Sequence, residues 1–335
     1  MNDKKKKVLV TLHLLAGRAQ PTFERLRQAG FEVAFNTLGR RLTEDELIDA
    51  LPGVFATVAG VEGYSERVLA SAPDLRLISR WGVGYDSIDV AAATRHGVAV
   101  ALAFGTNHEA VADHAFAFLS GLASDVLVTH RAIDGGGWRD DFRAPFSGAT
   151  LGIVGLGRIG RAVARRCRAF EVRILANDID PAAIDYGAGQ GYEMVALDDL
   201  MAQSDFVSLH VPLSEITERM MNAARLSRMK PTAYLVNTAR GGLVDEAALA
   251  DALSGGRLAG AGLDVFANEP PTGSPLLGLK NVLFSPHSAT LNDTSERLVT
   301  ERCVDTVLAV ADGQDPGAGL VVNTEVLASL LTDRT

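Results

Sequence analysis

Cysteine is scarce. The 335 residues hold two, Cys167 and Cys303, far apart and matching no metal-ligand or redox spacing. Both lie in helical-looking runs, so they are expected to be buried structural thiols. No metal site is expected, and nothing demands an oxidising compartment. An excess of basic charge is also missing. Lys and Arg number 32 against 41 Asp and Glu, for a net charge of −9. A phosphate backbone needs a clustered basic surface, so a nucleic-acid partner is not expected. A small anionic ligand remains compatible, because a few arginines can reverse the field inside one cleft. No apolar run reaches the ~18 residues that a membrane span needs, so no membrane partner is expected. At the N-terminus, Lys4 to Lys7 precede an apolar stretch that Thr11 and His13 interrupt, with no clear small-residue cleavage site after it. That reads as a first β-strand with a charged lead-in rather than a leader peptide, and a cytoplasmic location follows as the expectation. Low-complexity tracts and short-period repeats are absent.

What is present is an ordinary globular mix, 47% hydrophobic and 22% charged, on a chain long enough for two cores. Short β-branched runs alternate with helical stretches in two series. The first comprises 8–10, 54–59, 75–79 and 98–101. The second comprises 151–154, 172–176, 206–209, 233–237, 258–263 and 282–285. Strands apolar on both faces and separated by helices predict parallel sheets covered on both sides, hence two doubly wound α/β domains. Thr106 and Glu109 have the spacing of a capping box. Behind them Val111, Ala115, Phe118, Leu119 and Leu122 repeat at helical spacing, which predicts a long helix carrying the chain into the second domain. A last helix over 293–311, with Val299, Cys303, Val307 and Val310 on one face, is expected to return it. The predicted organisation is a discontinuous substrate domain, 1–101 plus 289–335, with a cofactor domain, 102–288, inserted in it.

The segment Leu151-Gly-Ile-Val-Gly155-Leu-Gly157-Arg-Ile-Gly160 is a strand running into G-x-G-x-x-G. Gly155 suits a tight turn, Gly157 a close backbone approach to a pyrophosphate, and Gly160 close helix–strand packing. The helix that begins with Arg158 and Ile159 offers unpaired N–H groups to phosphates. Asp178 ends the next strand, 18 residues past Gly160. A carboxylate there can accept hydrogen bonds from the adenosine ribose and would repel a 2′-phosphate. Ile179 follows it rather than an arginine. The reading is NAD in preference to NADP.

Three later strand ends carry chemistry: Arg240 after 233–237, Glu269 in the turn after 258–263, and His287 after 282–285. Ligands of doubly wound sheets bind at the carboxyl ends of the strands. Singly, each residue also has a bland reading: a carbonyl cap, a solvated turn residue, an interior histidine. Together behind a dinucleotide fingerprint they match what reduction of a keto acid needs. They offer a cation for the carboxylate, an acid–base group, and a carboxylate to orient that group.

Several segments now stand in a known order: Arg80-Trp-Gly-Val-Gly-Tyr-Asp-Ser-Ile-Asp89, Gly105-Thr-Asn-His-Glu-Ala-Val-Ala-Asp113, the glycine fingerprint, Ser208-Leu-His-Val-Pro-Leu213, the 237–244 stretch, Leu263-Asp-Val-Phe-x-x-Glu-Pro270, and Ser285-Pro-His287. From about residue 50 to about 325 the chain resembles the D-isomer-specific 2-hydroxyacid dehydrogenases, a family that includes phosphoglycerate dehydrogenase. The resemblance implies a Rossmann cofactor domain inserted in a flavodoxin-like substrate domain, and exchange of a hydride between NAD and a small 2-hydroxy or 2-keto acid. It implies that Arg240 grips the substrate carboxylate, that His287 is the acid and base, and that Glu269 orients the imidazole. The N–H groups of Gly82, Val83 and Gly84 would bind the carboxylate. His210 and Pro212 would border the cofactor phosphates, and Thr238 and Asp264 would lie near the nicotinamide. A homodimer formed through the cofactor domain is the family expectation.

Some features depart from the pattern. Members acting on 3-phosphoglycerate supply basic residues for its phosphate, whereas Val58-Ala-Gly-Val-Glu-Gly-Tyr64 carries an acid and no arginine. Trp81 either narrows the pocket or simply packs. The chain's end near 335 leads to the expectation that no added regulatory domain follows. Alternatives remain: 3-phosphoglycerate dehydrogenase specifically, or a non-enzymatic NAD(H)-sensing protein like the related corepressors. Formate dehydrogenase pairs its histidine with Gln where Glu269 stands here, and adenosylhomocysteinase lacks the Arg–Glu–His set.

Overall fold

The computed structural model describes residues 6–16, 21–139 and 145–332. The chain divides into two compact units, Met1–Asn107 with Asn292–Thr335, and His108–Leu291. The divisions fall after 107 and 291, where the sequence reading set them after 101 and 288.

In the discontinuous unit, strands β1 (Lys7–Val10), β2 (Glu32–Phe35), β3 (Val54–Ala59), β4 (Leu77–Arg80) and β5 (Ala99–Leu102) form an all-parallel sheet. Their order is β2-β1-β3-β4-β5. The chain reverses its direction of travel between β1 and β3, which makes the carboxyl ends of those two strands the switch point of the sheet. Helices cover both faces because the strands are apolar on both. On one face, Val299, Cys303, Val304 and Val307 of helix Asp293–Ala311 pack with Val8, Val58 and Leu77. On the other, Leu47, Val68 and Ala92 pack with Ile78 and Val100. Each fully buried valine or leucine here contributes about 1.5–3 kcal/mol.

The continuous unit holds β6 (Thr150–Val154), β7 (Arg173–Asn177), β8 (Glu193–Met194), β9 (Phe206–Leu209), β10 (Tyr234–Asn237), β11 (Gly260–Leu263) and β12 (Val282–Phe284). They are parallel in the order β12-β11-β10-β9-β6-β7-β8, with the switch point between β6 and β9. This is the dinucleotide-binding order with one strand added at the β12 edge. Helix His108–Ser124 lies on β10 and β11. It lies close because β11 reads Gly-Ala-Gly-Leu: a Cβ on Gly262 would stand 2.8 Å from the Phe118 ring.

Two strands were not anticipated, β2 and β8. Both are edge strands, and each begins with a glutamate that breaks the continuous apolar pattern of the central strands. The capping box expected at Thr106–Glu109 does not form. The Thr106 hydroxyl donates to the Ala103 carbonyl (2.6 Å), and the Glu109 carboxylate accepts instead from Arg165 and Arg166, each at 2.7 Å. A capping box does occur at Thr43 and Glu46, at the head of helix Glu44–Ala50. At the N-terminus β1 begins at Lys7; Lys4 and Lys5 lie outside the described residues. Cys167 and Cys303 are buried and free, and burial pushes each thiol up to about 12. Among the described residues no single helix is long and apolar enough to cross a membrane.

Candidate active site

The glycine fingerprint connects β6 to helix Arg158–Cys167. Gly155 has φ +93°, and a Cβ on it would stand 2.7 Å from the His210 carbonyl oxygen, so the turn crosses closely over the end of β9. A Cβ on Gly160 would stand 2.1 Å from the Gly155 carbonyl oxygen, which seats the first helical turn on the loop. Gly157, the residue before the helix, has nothing within 4 Å of where its Cβ would be. The helix that starts with Arg158 and Ile159 thus begins directly after a tight glycine turn with open space beside Gly157, and the first N–H groups of such a helix are suited to an anion.

Asp178 stands one residue past β7. One carboxylate oxygen accepts from the Leu156 N–H (2.6 Å) and the other from the Asp180 N–H (2.9 Å). The acid thus braces the glycine turn from the neighbouring strand. At the ends of β9 and β10, His210 Nδ1 and Thr238 Oγ1 are buried with no hydrogen-bond partner among the described residues. Burial pushes the His210 pKa down to about 3, so the ring is neutral, and its Nε2 lies 2.8 Å from Ser208 Oγ. Pro212 turns its carbonyl onto the Thr217 hydroxyl (2.7 Å). Buried polar atoms without partners are uncommon in folded proteins and mark places where a ligand completes the bonding. The open helix end, the braced acid and these two atoms share one sheet edge and fit a dinucleotide.

Arg240, Asp264 and His287 follow β10, β11 and β12, three hydrogen-bonded neighbours in register at Asn237, Leu263 and Phe284. The Arg240 loop is shaped by Asn237. Its Oδ1 accepts from Ala239 N–H (3.0 Å) and its Nδ2 donates to the Arg240 carbonyl (2.8 Å), while Arg240 Nη1 donates to the Ala239 carbonyl (2.6 Å). Next to it, a Cβ on Gly241 would stand 1.8 Å from the carbonyl carbon of Phe266. Only a glycine lets the Arg240 loop lie directly on the 264–269 loop.

The histidine is held from two sides. His287 Nδ1 lies 2.8 Å from Glu269 Oε2, and the other Glu269 oxygen accepts from Phe266 N–H at 3.2 Å. His287 has φ +52° and donates its own N–H to the Asp264 carbonyl (2.7 Å). The Asp264 side chain, 1% exposed, accepts from Ser285 Oγ (2.5 Å), Ser288 N–H (2.8 Å) and Ala289 N–H (3.0 Å). It therefore holds the loop on either side of the imidazole. Among the described residues His287 Nε2 has no hydrogen-bond partner.

In the discontinuous unit, Gly82, Val83 and Gly84 follow β4, with Gly82 at φ +144°. The Gly82 N–H is already engaged with the Arg80 carbonyl (2.8 Å), so of the three donors expected from sequence it is not free. The N–H groups of Val83 and Gly84 have no partner among the described residues.

Sequence reasoning missed two supporting residues. His114 Nε2 lies 2.8 Å from Ser285 Oγ, with its ring edge-on to Phe118 at 4.8 Å. Its signal was present, since it sits four residues before Phe118 on the buried stripe of the long helix. Glu246 accepts from Ala267 N–H (2.7 Å) and Ser274 Oγ (2.5 Å) and so braces the loop that carries Glu269. Nothing local distinguishes it from other acids at helix starts.

A family model described as D-isomer specific 2-hydroxyacid dehydrogenase, NAD binding domain, matches residues 116–289. The chain belongs to this family. It is 43% identical over 267 residues to a glyoxylate reductase of Korarchaeum cryptofilum, an alignment covering 78% of this chain and 80% of that one. It is 41% identical over 295 residues to a D-3-phosphoglycerate dehydrogenase of Mycobacterium bovis, covering 84% of this chain and 55% of that protein, so it spans about half the length of this relative. Among solved structures, a D-lactate dehydrogenase of Aquifex aeolicus complexed with NAD and lactic acid superposes with a TM-score of 0.82 at 28% identity, covering 95% and 99% of the two chains. The matched residues, 116–289, lie within the continuous unit.

Proposed function

We propose that this protein interconverts a small D-2-hydroxy acid and its 2-keto acid, with His287 as the proton donor and acceptor, Glu269 as its orienting carboxylate and Arg240 as the substrate-binding cation. The observation that carries the reading is the His287–Glu269 hydrogen bond of 2.8 Å, which leaves Nε2 open. An ionised carboxylate only accepts, so Nδ1 carries a hydrogen. Nε2 is then the atom that gives up a proton during reduction and takes one during oxidation. Arg240 presents a planar donor fork suited to a carboxylate and, beside it, a keto oxygen gaining negative charge. The bound nicotinamide supplies or takes up the hydride.

The remaining assignments belong to the same proposal. The helix end at Gly157, Arg158 and Ile159 holds the pyrophosphate, with Gly155 and Gly160 shaping its turn. Asp178 accepts from the ribose. His210, Pro212, Thr238 and Asp264 border the cofactor. The N–H groups of Val83 and Gly84 serve an anionic group, with Gly82 setting their turn. Pairing of two copies and a cytoplasmic location accompany it.

The test is NADH oxidation with glyoxylate, hydroxypyruvate, pyruvate and branched keto acids, and NAD reduction with 3-phosphoglycerate. Turnover with at least one is expected. His287→Ala is expected to abolish nearly all of it while NADH still binds, and Arg240→Ala to weaken substrate binding and turnover together. Near-normal rates in the His287 variant would overturn the assignment. Tight NADH binding with no turnover of any acid would favour a sensor instead.

A further inference from the structure

At the carboxyl edge of the five-stranded sheet, β1, β3 and β4 end in a buried polar cluster that the roles above leave unused. Thr11, Thr57 and Tyr64 are fully buried, Glu62 is 4% exposed and Arg80 8%. The Thr11 hydroxyl donates to Glu62 Oε2 (2.7 Å) and accepts from Gly60 N–H (2.8 Å). A Cβ on Gly60 would stand 2.7 Å from that carboxylate, so the acid lies flat against the backbone following β3. Burial first, with the Glu62 charge adding and Thr57 and the Arg80 charge opposing, holds the Tyr64 hydroxyl well above its usual range. Both buried charges therefore act on one phenol.

Arg80 spans from this cluster to the glycine loop. Its Nη1 donates to the Trp81 carbonyl (2.7 Å) and to the Ala59 carbonyl (3.3 Å). Its own carbonyl accepts from Gly82 N–H (2.8 Å). The peptide between Trp81 and Gly82 is thus gripped at both edges by one residue, at its oxygen by the side chain and at its N–H by the main chain. A Cβ on Gly82 would stand 3.4 Å from Nη1, so the guanidinium lies directly beneath the loop. On the far side, Trp81 is 8% exposed and its Nε1 donates to Thr300 Oγ1 (2.9 Å), which makes it an anchor packed into the unit. Buried guanidinium groups are rare because removing a charge from water is costly unless it is well bonded. This one is bonded to the backbone at the switch point of its sheet, where doubly wound domains take ligands.

We propose that Arg80 is the positioning residue of the Gly82–Gly84 loop: it locks the Trp81–Gly82 peptide so that the Val83 and Gly84 N–H groups stay presented to an anion, and its charge favours that anion. The proposal rests on the reading above that the loop serves the substrate's carboxylate. A positioning role of this kind acts on substrate binding and leaves the cofactor and the His287 chemistry alone.

The test uses the full chain, comparing Arg80→Gln and Arg80→Lys with the unaltered protein, with NADH and the keto acid it turns over best. Arg80→Gln is expected to raise KM about tenfold or more, the worth of a lost charge-assisted hydrogen bond. Its kcat and its NADH affinity by fluorescence titration should stay within about threefold. Arg80→Lys keeps the charge but lacks the planar guanidinium that lies beneath the loop, so its KM should lie between those of Arg80→Gln and the unaltered protein. An unchanged KM in both variants, or a fall in kcat at constant KM, sinks the proposal while leaving the proposed function intact. Should Arg80→Gln not fold, Arg80→Lys decides on the same KM criterion. Absence of keto-acid turnover by the unaltered protein would remove the underlying reading and this inference together.

Discussion

Gly241 offers a sharp test of how the candidate site is assembled. A methyl group there would lie 1.8 Å from the Phe266 carbonyl carbon and 2.0 Å from its oxygen. Ordinary van der Waals contact begins near 3.4 Å, so Gly241→Ala must push the facing backbone segments apart by about 1.6 Å. Backbone on both sides cannot rotate out of the way as a side chain can. Overpacking of this kind costs about 1–3 kcal/mol or more. The displaced segments carry Arg240 on one side and the Phe266 N–H that holds Glu269 on the other. A displacement of about 1 Å between catalytic groups can cost 10²-fold in rate. The neighbouring Gly242→Ala is the matched control, because the atoms nearest its methyl would belong to the Leu213 side chain, at 2.9 Å, which can shift. Urea unfolding and steady-state kinetics on both variants decide the matter. Gly241→Ala should lose stability and about 100-fold in kcat/KM with NADH binding kept, and Gly242→Ala should change little. If the two behave alike, the contact between the Arg240 and Glu269 loops does not organise the site.

Glu269→Gln keeps the shape of the partner but removes its charge, so the imidazolium loses its counter-ion. Keto-acid reduction near neutral pH should fall by about 10–100-fold with NADH binding kept; an unchanged rate would count against the orienting role. His210 makes a prediction about stability. Its folded pKa of about 3 lies below the unfolded value of 6.5, so between those pH values the unfolded chain binds a proton that the folded chain does not. Stability is complete above pH 6.5 and is lost as pH falls toward 3, at about 1.4 kcal/mol per unit. Urea unfolding at pH 7.5 and 4.5 should show a drop about 2–3 kcal/mol smaller in His210→Gln than in the unaltered protein; parallel drops would refute it.

The central strands were legible because both their faces are buried, which leaves short, nearly continuous runs of apolar and small residues. The edges β2 and β8 were not, because one side of an edge strand meets water and admits polar residues such as Glu32 and Glu193. The glycine fingerprint, Asp178, Arg240, Glu269 and His287 were readable as residues at strand ends. What Asp178 bonds was not, since Leu156 N–H reaches it only once β6 and β7 pair.

By itself, then, the sequence determined which segments become the central strands and the long helices, where a dinucleotide turn sits, and which ionisable side chains fall at the ends of strands. These follow from local periodicity and from backbone freedom at particular glycines. Only the tertiary structure decided that Asp264 holds the histidine loop from both sides, that His114 and Glu246 brace it, that the capping box at Thr106 gives way to arginine pairing at Glu109, and that Arg80 is buried beneath the glycine loop. Each depends on which distant strand ends become neighbours, and chain connectivity alone does not carry that information.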